Sequence, residues 1–348
     1  MSPRVYLDYN ATAPLRPEAR AAMYEAMEIV GNPSSVHAEG RKARALVERA
    51  RAHVAAALGA DGADIVFTSG ATEAAALALA GRGLVGAAIE HDAVRAWIDE
   101  SLAVDGNGQV KVPEPARTAL QLANSETGIV QELPEGLAVS DLTQGFGKLP
   151  FAFNWLGVEM GFVSAHKIGG PKGIGALVMR RGTDLAAQIR GGGQEMGRRA
   201  GTENIIGIAG FGAAAEAAAR DLADGVWNSV SEIRNILELA LDAEASKTIF
   251  VGKSAARLPN TLCLVTPGWK GETQVMQMDL AGFAISAGSA CSSGKIRASH
   301  VLEALGFDAQ SAASAIRVSL GPEVRKEDVL RFSDAWLKEY KRFAARAA

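Results

Sequence analysis

The sequence predicts an α/β protein, with a large domain built on a mainly parallel sheet flanked by helices and a smaller α/β domain after it. Three observations carry this reading. Short β-branched runs alternate with alanine-rich helical stretches, the pattern of crossover helices returning the chain to a parallel sheet. A length of 348 residues suits roughly two domains with substantial cores. Helical patterning is almost continuous from Asn204 to Asp242, weakest at Gly225, and a helix of that length often bridges domains. The boundary is therefore expected near residue 225, giving a large domain over 12–225 and a small one from 1–11 and 226–348.

Taken in order, the first long helix is expected over Glu39–Leu58, stopping at Gly59. Strands are expected at Ile65–Thr68, Gly86–Glu90, Ala119–Ala123, Leu137–Ser140, Gly161–Ser164 and Gly175–Met179. Beyond the boundary, strands near Ile249, Leu262–Val265, Ala284–Ser286 and Ile316–Ser319 precede a closing amphipathic helix from Lys326. There is no internal repeat and no low-complexity segment.

Composition narrows the function. Hydrophobic content of 48% with 22% charged residues is that of a folded globular chain, and a net charge of −3 makes no electrostatic case for nucleic acid or an anionic membrane. Small-molecule chemistry fits better. The N-terminus lacks a basic region leading into an apolar stretch, and no apolar run is long enough to span a bilayer. Two cysteines, Cys263 and Cys291, sit in dissimilar contexts, which argues against a disulfide and for a reducing cytoplasm.

Ligands of open parallel sheets sit beyond the carboxyl ends of the strands. Five successive apolar runs end there in groups with chemistry: Thr68 leading into Ser69-Gly70-Ala71-Thr72, Glu90 into His91, Ala123 into Asn124, Ser140 into Asp141, and Ser164-Ala165 into His166-Lys167. One such ending means little; the series suggests one assembled site.

Each group has an ordinary reading beside the functional one. Ser69-Gly70-Ala71-Thr72-Glu73 opens a helix whose N–H groups suit a phosphate, or forms a capping box with Glu73. Lys167, emerging from an apolar strand, suits an amine nucleophile toward an aldehyde, or simply solvates a turn. Asp141 can hold a pyridine nitrogen protonated, or cap a helix, while Gln144 and Asn124 can bond a phenolic oxygen. His91 can stack on a ring and shuttle protons, whereas His37, His53 and His300 read as surface residues without metal spacing. Cys291, in a small, polar, glycine-bounded loop from Ser286 to Gly294, has the exposure a nucleophile needs. Cys263, inside Thr261-Leu262-Cys263-Leu264-Val265, reads as core.

Together these residues resemble the cysteine desulfurases of NifS type, a branch of the fold-type I, class-V aminotransferase-like pyridoxal-phosphate enzymes. Matching blocks include Tyr6–Pro14, Asn32–His37, Phe67–Glu73, Asn124–Gly128, Ser164–Gly173, Gly191–Glu195, Arg198–Asn204, Gly288–Gly294 and Arg317–Gly321, covering nearly the whole chain. The resemblance implies that Lys167 links covalently to the cofactor, Asp141 faces its pyridine nitrogen and His91 stacks on the ring. It implies phosphate contacts from Ala71, Thr72, Ser164 and His166, with Thr202 reaching in from the partner of a homodimer. Asn124 and Gln144 match ring contacts, Arg317 matches the arginine pairing with the substrate carboxylate, and Asn10 is a further substrate-side candidate.

The implied reaction removes sulfur from L-cysteine, giving alanine and a persulfide on Cys291. The persulfide passes to an acceptor or iron–sulfur scaffold protein, and no resident metal is implied, Cys291 meeting a cluster only in transit. The alternatives are a selenocysteine lyase, another class-V lyase or transaminase, and a non-catalytic scaffold. Departures from the family pattern are Ala74-Ala75-Ala76 where Ala-Asn-Asn is usual, Ser125 for a second asparagine, Pro322 for an arginine, and a short stretch between His91 and Asp141. They imply different local bonding near the phosphate helix and at one edge of the sheet.

Overall fold

The computed structural model describes residues 4–288 and 298–346. Its central sheet places the strands Asp64–Thr68, Gly175–Met179, Val158–Ser164 and Leu137–Asp141 side by side in that order. All run the same way except Gly175–Met179, which is antiparallel to both neighbours. The sheet is therefore mainly parallel, as expected.

Past Leu137–Asp141 the sheet continues through single bridges. Ala119 pairs with Val139, and Thr118 with Val85 of the strand Val85–Ala87. The strand expected over Ala119–Ala123 is thus broken, because the Gln121 amide donates to the Glu90 carboxylate (2.8 Å) instead of a ladder partner. The expected Gly86–Glu90 strand ends at Ala87, where a turn closes with Glu90 N donating to Ala87 O. Between His91 and Asp141 the short connection holds the helix Asp92–Arg95 and the strand Asp99–Leu102.

The long helix Ala38–Leu58 starts on His37, whose ring accepts from Gly40 N, and stops at Gly59. Gly59 is left-handed (φ 59°), and an added Cβ would lie 2.5 Å from that of Ala152, so no larger residue suits this stop. Helical patterning after Asn204 resolves into Ile205–Ala223 and Val226–Asp242, broken at Gly225. The first packs with Ala38–Leu58 over one sheet face, where Val54, Leu58, Phe67, Val163, Val178 and Phe211 bury together. Alternation along the strands sends Val66, Phe162 and Leu177 to the other face, under Ala74, Ala75 and Leu79 of the helix Ala71–Leu79. Of the two alanines that replace the usual asparagines, Ala75 is therefore packed against the sheet, while Ala76 is only half-buried.

A second core gathers Leu7, Trp227, Leu237, Leu262, Leu264, Phe332 and Trp336. Its sheet places Ser286–Ala287, Ala315–Ser319, Thr261–Val265 and Ile249–Phe250 in order. The strand expected over Ala284–Ser286 divides, Phe283–Ala284 pairing in parallel with Val5–Tyr6 and Ser286–Ala287 joining the larger sheet. The amphipathic helix Lys326–Arg346 closes this half. Cys263 is buried there, and burial pushes its thiol up to about 12. His300, expected at the surface, is half-buried with its ring nitrogen 3.2 Å from Glu90 O; its helix turns in because Val301 packs on Ala87 and Ile89.

Candidate active site

A cavity of about 550 Å³ opens where the parallel strands end, a volume and location that suit a cofactor. Thr68, Asp141 and Ser164 close three of these strands. The segments leaving these strand ends supply the walls: Ser69 to Thr72, then Thr143 and Gln144, then His166 and Lys167 on the 3-10 turn Ala165–Lys167.

One end suits an anion. The helix Ala71–Leu79 begins at Gly70 with no side chain capping it, so its first N–H groups point unclaimed toward the cavity. Only half of a capping box forms: the Glu73 carboxylate accepts from Ser69 N at 2.8 Å, while Thr68 Oγ1 donates to Gly70 O instead. Burial works against the charge of Glu73, but bonds from Arg199 and Ser69 outweigh it and hold the carboxyl below its ordinary range. Ser164, Thr72 and His166 line the same end. Nδ1 of His166 is buried with no partner, and burial, reinforced by Lys167, Lys172 and Lys148, lowers this imidazole to about 4. It is therefore neutral at physiological pH, able to donate one hydrogen bond without adding charge.

At the other end, Lys167 Nζ donates to the carbonyls of Asn10 (2.7 Å) and Ala11 (2.9 Å). Asp141 accepts from Thr143 N at 2.8 Å. Burial raises its carboxyl, opposed by the Thr143 bonds and by the charges of His91 and Lys167. His91 caps the helix Asp92–Arg95, its Nδ1 accepting from Ala93 N at 3.1 Å. A neutral ring in that position carries its proton on Nε2. Gln144 lines the cavity and donates through Nε2 to Asn10 O at 3.0 Å.

Other expected residues stand back from the cavity. The Asn124 side chain is turned into its own loop, accepting from Glu126 N and Thr127 N and donating to Ile89 O. Asn10 is fully buried, its amide donating to Ser125 O and Thr261 Oγ1. Arg317, also buried, pairs with Asp8 (2.8 Å) and donates to Ser125 O (2.9 Å), with Nε unpartnered. It touches the cavity only through Ser125, which lines it. Thr202 is exposed and does not border the cavity of its own chain. Cys291 lies outside the described residues.

Sequence reasoning passed over several residues here. Thr12 and Thr143 line the cavity with buried, unpartnered hydroxyls, and Lys172 lines it as well. Glu195 is held in a left-handed backbone (φ 47°), where its carboxylate accepts from Arg51 (2.7 and 2.9 Å) and from Phe67 N (2.8 Å). Together with the Arg199–Glu73 pair (2.8 Å), it ties segment 191–204 to the strand and helix forming the anion end. No local pattern announces these contacts, since each joins segments over a hundred residues apart.

The residues fit pyridoxal phosphate. An uncapped helix start with an unpartnered His166 nitrogen suits the phosphate, a carboxylate faces inward from a strand end, and an amine projects from the turn after the next strand. Among the described residues no cluster of His, Cys, Asp or Glu could hold a metal ion.

Fold and cavity together define an enzyme of the pyridoxal-phosphate fold-type I class, and the chain belongs to the class-V aminotransferase family, whose model matches residues 5–332. Its relatives there are cysteine desulfurases. The chain is 40% identical to the cysteine desulfurase of Cereibacter sphaeroides, with 91% of this chain and 90% of that protein covered. A solved NifS-like protein from Rickettsia africae superposes with a TM-score of 0.89 at 30% identity, covering 97% of this chain and 99% of the other. A structure of SspA in complex with cysteine matches with a TM-score of 0.75 at 27% identity, over 91% and 99% of the two chains.

Proposed function

We propose that this chain is a cysteine desulfurase that binds pyridoxal phosphate through Lys167 and moves sulfur from L-cysteine onto Cys291. The observation that carries the proposal is the placement of the Lys167 amine in one cavity with Asp141, His91 and the uncapped start of the helix at Ala71. When bound, pyridoxal phosphate supplies an aldehyde for covalent linkage and a ring that draws electrons from the substrate Cα.

The chain's own groups do the rest. The N–H groups after Gly70, with Thr72, Ser164 and neutral His166, bind the phosphate. Asp141 would hold a proton on the pyridine nitrogen; burial raises its carboxyl, while the Thr143 bonds and the charges of His91 and Lys167 favour the ionised form this role needs. Lys167 Nζ moves the substrate Cα proton, and His91 offers the proton on Nε2. Arg317, by exchanging its contact with Asp8 or Ser125, receives the substrate carboxylate. The Cys291 thiolate forms a bond to the substrate sulfur as that sulfur parts from Cβ, and Cβ takes up a proton to leave alanine.

The cysteine-bound relative structure supports L-cysteine as substrate. The working form is a homodimer in which Thr202, exposed on its own chain, reaches the partner's phosphate site. The large domain spans 12–225 and the small domain 1–11 with 226–348. The persulfide passes to a sulfur acceptor or iron–sulfur scaffold protein in the cytoplasm; among the described residues no helix is long and apolar enough to cross a membrane.

Cys291→Ser tests the proposal. The variant is expected to keep the visible absorption of the lysine-bound cofactor and to lose sulfide release from L-cysteine. Undiminished sulfide release removes Cys291 from the mechanism, and a wild-type chain that acquires no visible absorption with pyridoxal phosphate removes the cofactor.

A further inference from the structure

A second lysine is buried behind the first. Lys148 is only 3% exposed and does not border the cavity. Its ammonium donates to Gln144 Oε1 at 2.9 Å and, at a longer 3.4 Å, to Asn10 Oδ1. Both acceptors are neutral amide oxygens, a poor exchange for water for a buried cation.

Lys148 decides how Gln144 is turned. An ammonium has no acceptor, so the Gln144 atom facing it must be the oxygen. The Gln144 nitrogen is thereby directed to Asn10 O at 3.0 Å, and that same carbonyl receives Lys167 Nζ at 2.7 Å. Gln144 lines the cavity, so it can present only N–H groups there. Asn10 is held from the side-chain end as well, its Oδ1 accepting from Asn260 Nδ2 at 3.1 Å. The two lysines therefore grip opposite ends of one residue, Lys148 the side chain of Asn10 and Lys167 its carbonyl.

We propose that Lys148 is a positioning residue for Lys167: its ammonium orients Gln144 and Asn10 and sets a second positive charge behind the reactive amine. Like charges in a dry site make the amine easier to deprotonate, and a lysine beside another cation is a known route to an amine nucleophile at neutral pH. The charged groups facing Lys148 are Lys167 and Arg317, and among the described residues no carboxylate favours its charge. Lys167 in turn faces Asp141, His166 and Lys148. Burial, with Lys167 and Arg317, lowers Lys148 to about 7, so the two amines disfavour each other's protons and Lys148 acts on Lys167 as a charge only below about that pH, where the acetylation profiles are compared.

The inference deepens the reading of Lys167 as the cofactor lysine, and its test separates the two. Competitive acetylation with trace acetic anhydride across a pH range, followed by peptide mapping, reports the protonation of each lysine in the cofactor-free chain. Lys148→Met and Lys148→Gln are expected to move the Lys167 profile at least one pH unit upward, so that its acetylation at a fixed pH below the midpoint falls about tenfold. Lys148→Arg, which restores the charge, is expected to return the profile toward wild type. If Lys148→Met does not fold, Lys148→Gln carries the comparison. A Lys167 profile that stays put in the neutral variants overturns the proposal, and so does an equal shift in the arginine variant. Failure to bind pyridoxal phosphate would defeat the proposed function while leaving these profiles readable.

Discussion

Glu90 shows what burial does to a single residue beside the site. It is 1% exposed, one oxygen accepts from Gln121 N, and the other has no partner. Burial, with Asp141 adding like charge, raises its carboxyl well above the ordinary range. The folded chain therefore keeps this proton at pH values where the unfolded chain has released it. The contribution to stability is complete below the ordinary value of about 4.3 and declines as pH rises toward the folded value, by about 1.4 kcal/mol per unit. Glu90→Gln keeps the acceptor for Gln121 without the titration. Urea unfolding at pH 5, 6 and 7 should show a shallower loss of stability with pH in the variant; parallel slopes would exclude the assignment. At this scale the strand-end groups were legible because each follows its own apolar run. Lys148 was not legible, since it sits in Gly147-Lys148-Leu149-Pro150, whose local pattern is that of a turn. One of its two acceptors, Asn10, lies 138 positions away.

At the scale of elements, the antiparallel strand of the central sheet, Gly175–Met179, matters most for the anion end. Gly175 opens that strand beside Gly70, and an added Cβ would lie 2.7 Å from backbone atoms of Gly70 and from Val163 O. Backbone on both sides cannot yield cheaply, so Gly175→Ala should push the loop before Ala71 out of place. Pyridoxal phosphate is expected to bind at least tenfold more weakly, read by visible absorption during titration; unchanged affinity would mean that the loop tolerates the displacement. Runs such as Gly175–Met179 and stops such as Gly59 could be read from sequence because their causes are local. The interruption across Ala119–Ala123 could not, because it results from the Glu90 side chain claiming a backbone amide. The division at Ile285 likewise depends on which sheet edge each half meets.

Over the whole molecule, residues 4–12 join the second core to the cavity. Leu7 is fully buried in the second core, and within five positions the same segment supplies the carbonyls of Asn10 and Ala11 to Lys167 and the hydroxyl of Thr12 to the cavity wall. Leu7→Ala is expected to cost about 2–5 kcal/mol. It should also loosen retention of pyridoxal phosphate at temperatures where the variant is still folded, measured by dialysis and residual visible absorption; full retention would confine Leu7 to packing. The helices Ile205–Ala223 and Val226–Asp242, and the break between them at Gly225, were readable from patterning alone. The passage of the N-terminus through the site was not, because no local preference couples residue 10 to residues 148 and 167.

The pairing of that first segment also bears on biosynthesis. Val5 and Tyr6 align with Phe283 and Ala284, and Leu7 and Tyr9 exchange backbone hydrogen bonds with Ser319. On the ribosome, the beginning of the chain must wait for partners made almost last, so the carbonyls that hold Lys167 take their places only once translation is nearly finished. A prematurely released fragment would therefore carry the Lys167 amine without its seat, and, on the proposed role of Lys167, capture of the vitamin-derived aldehyde would mark a chain made at least as far as these partners.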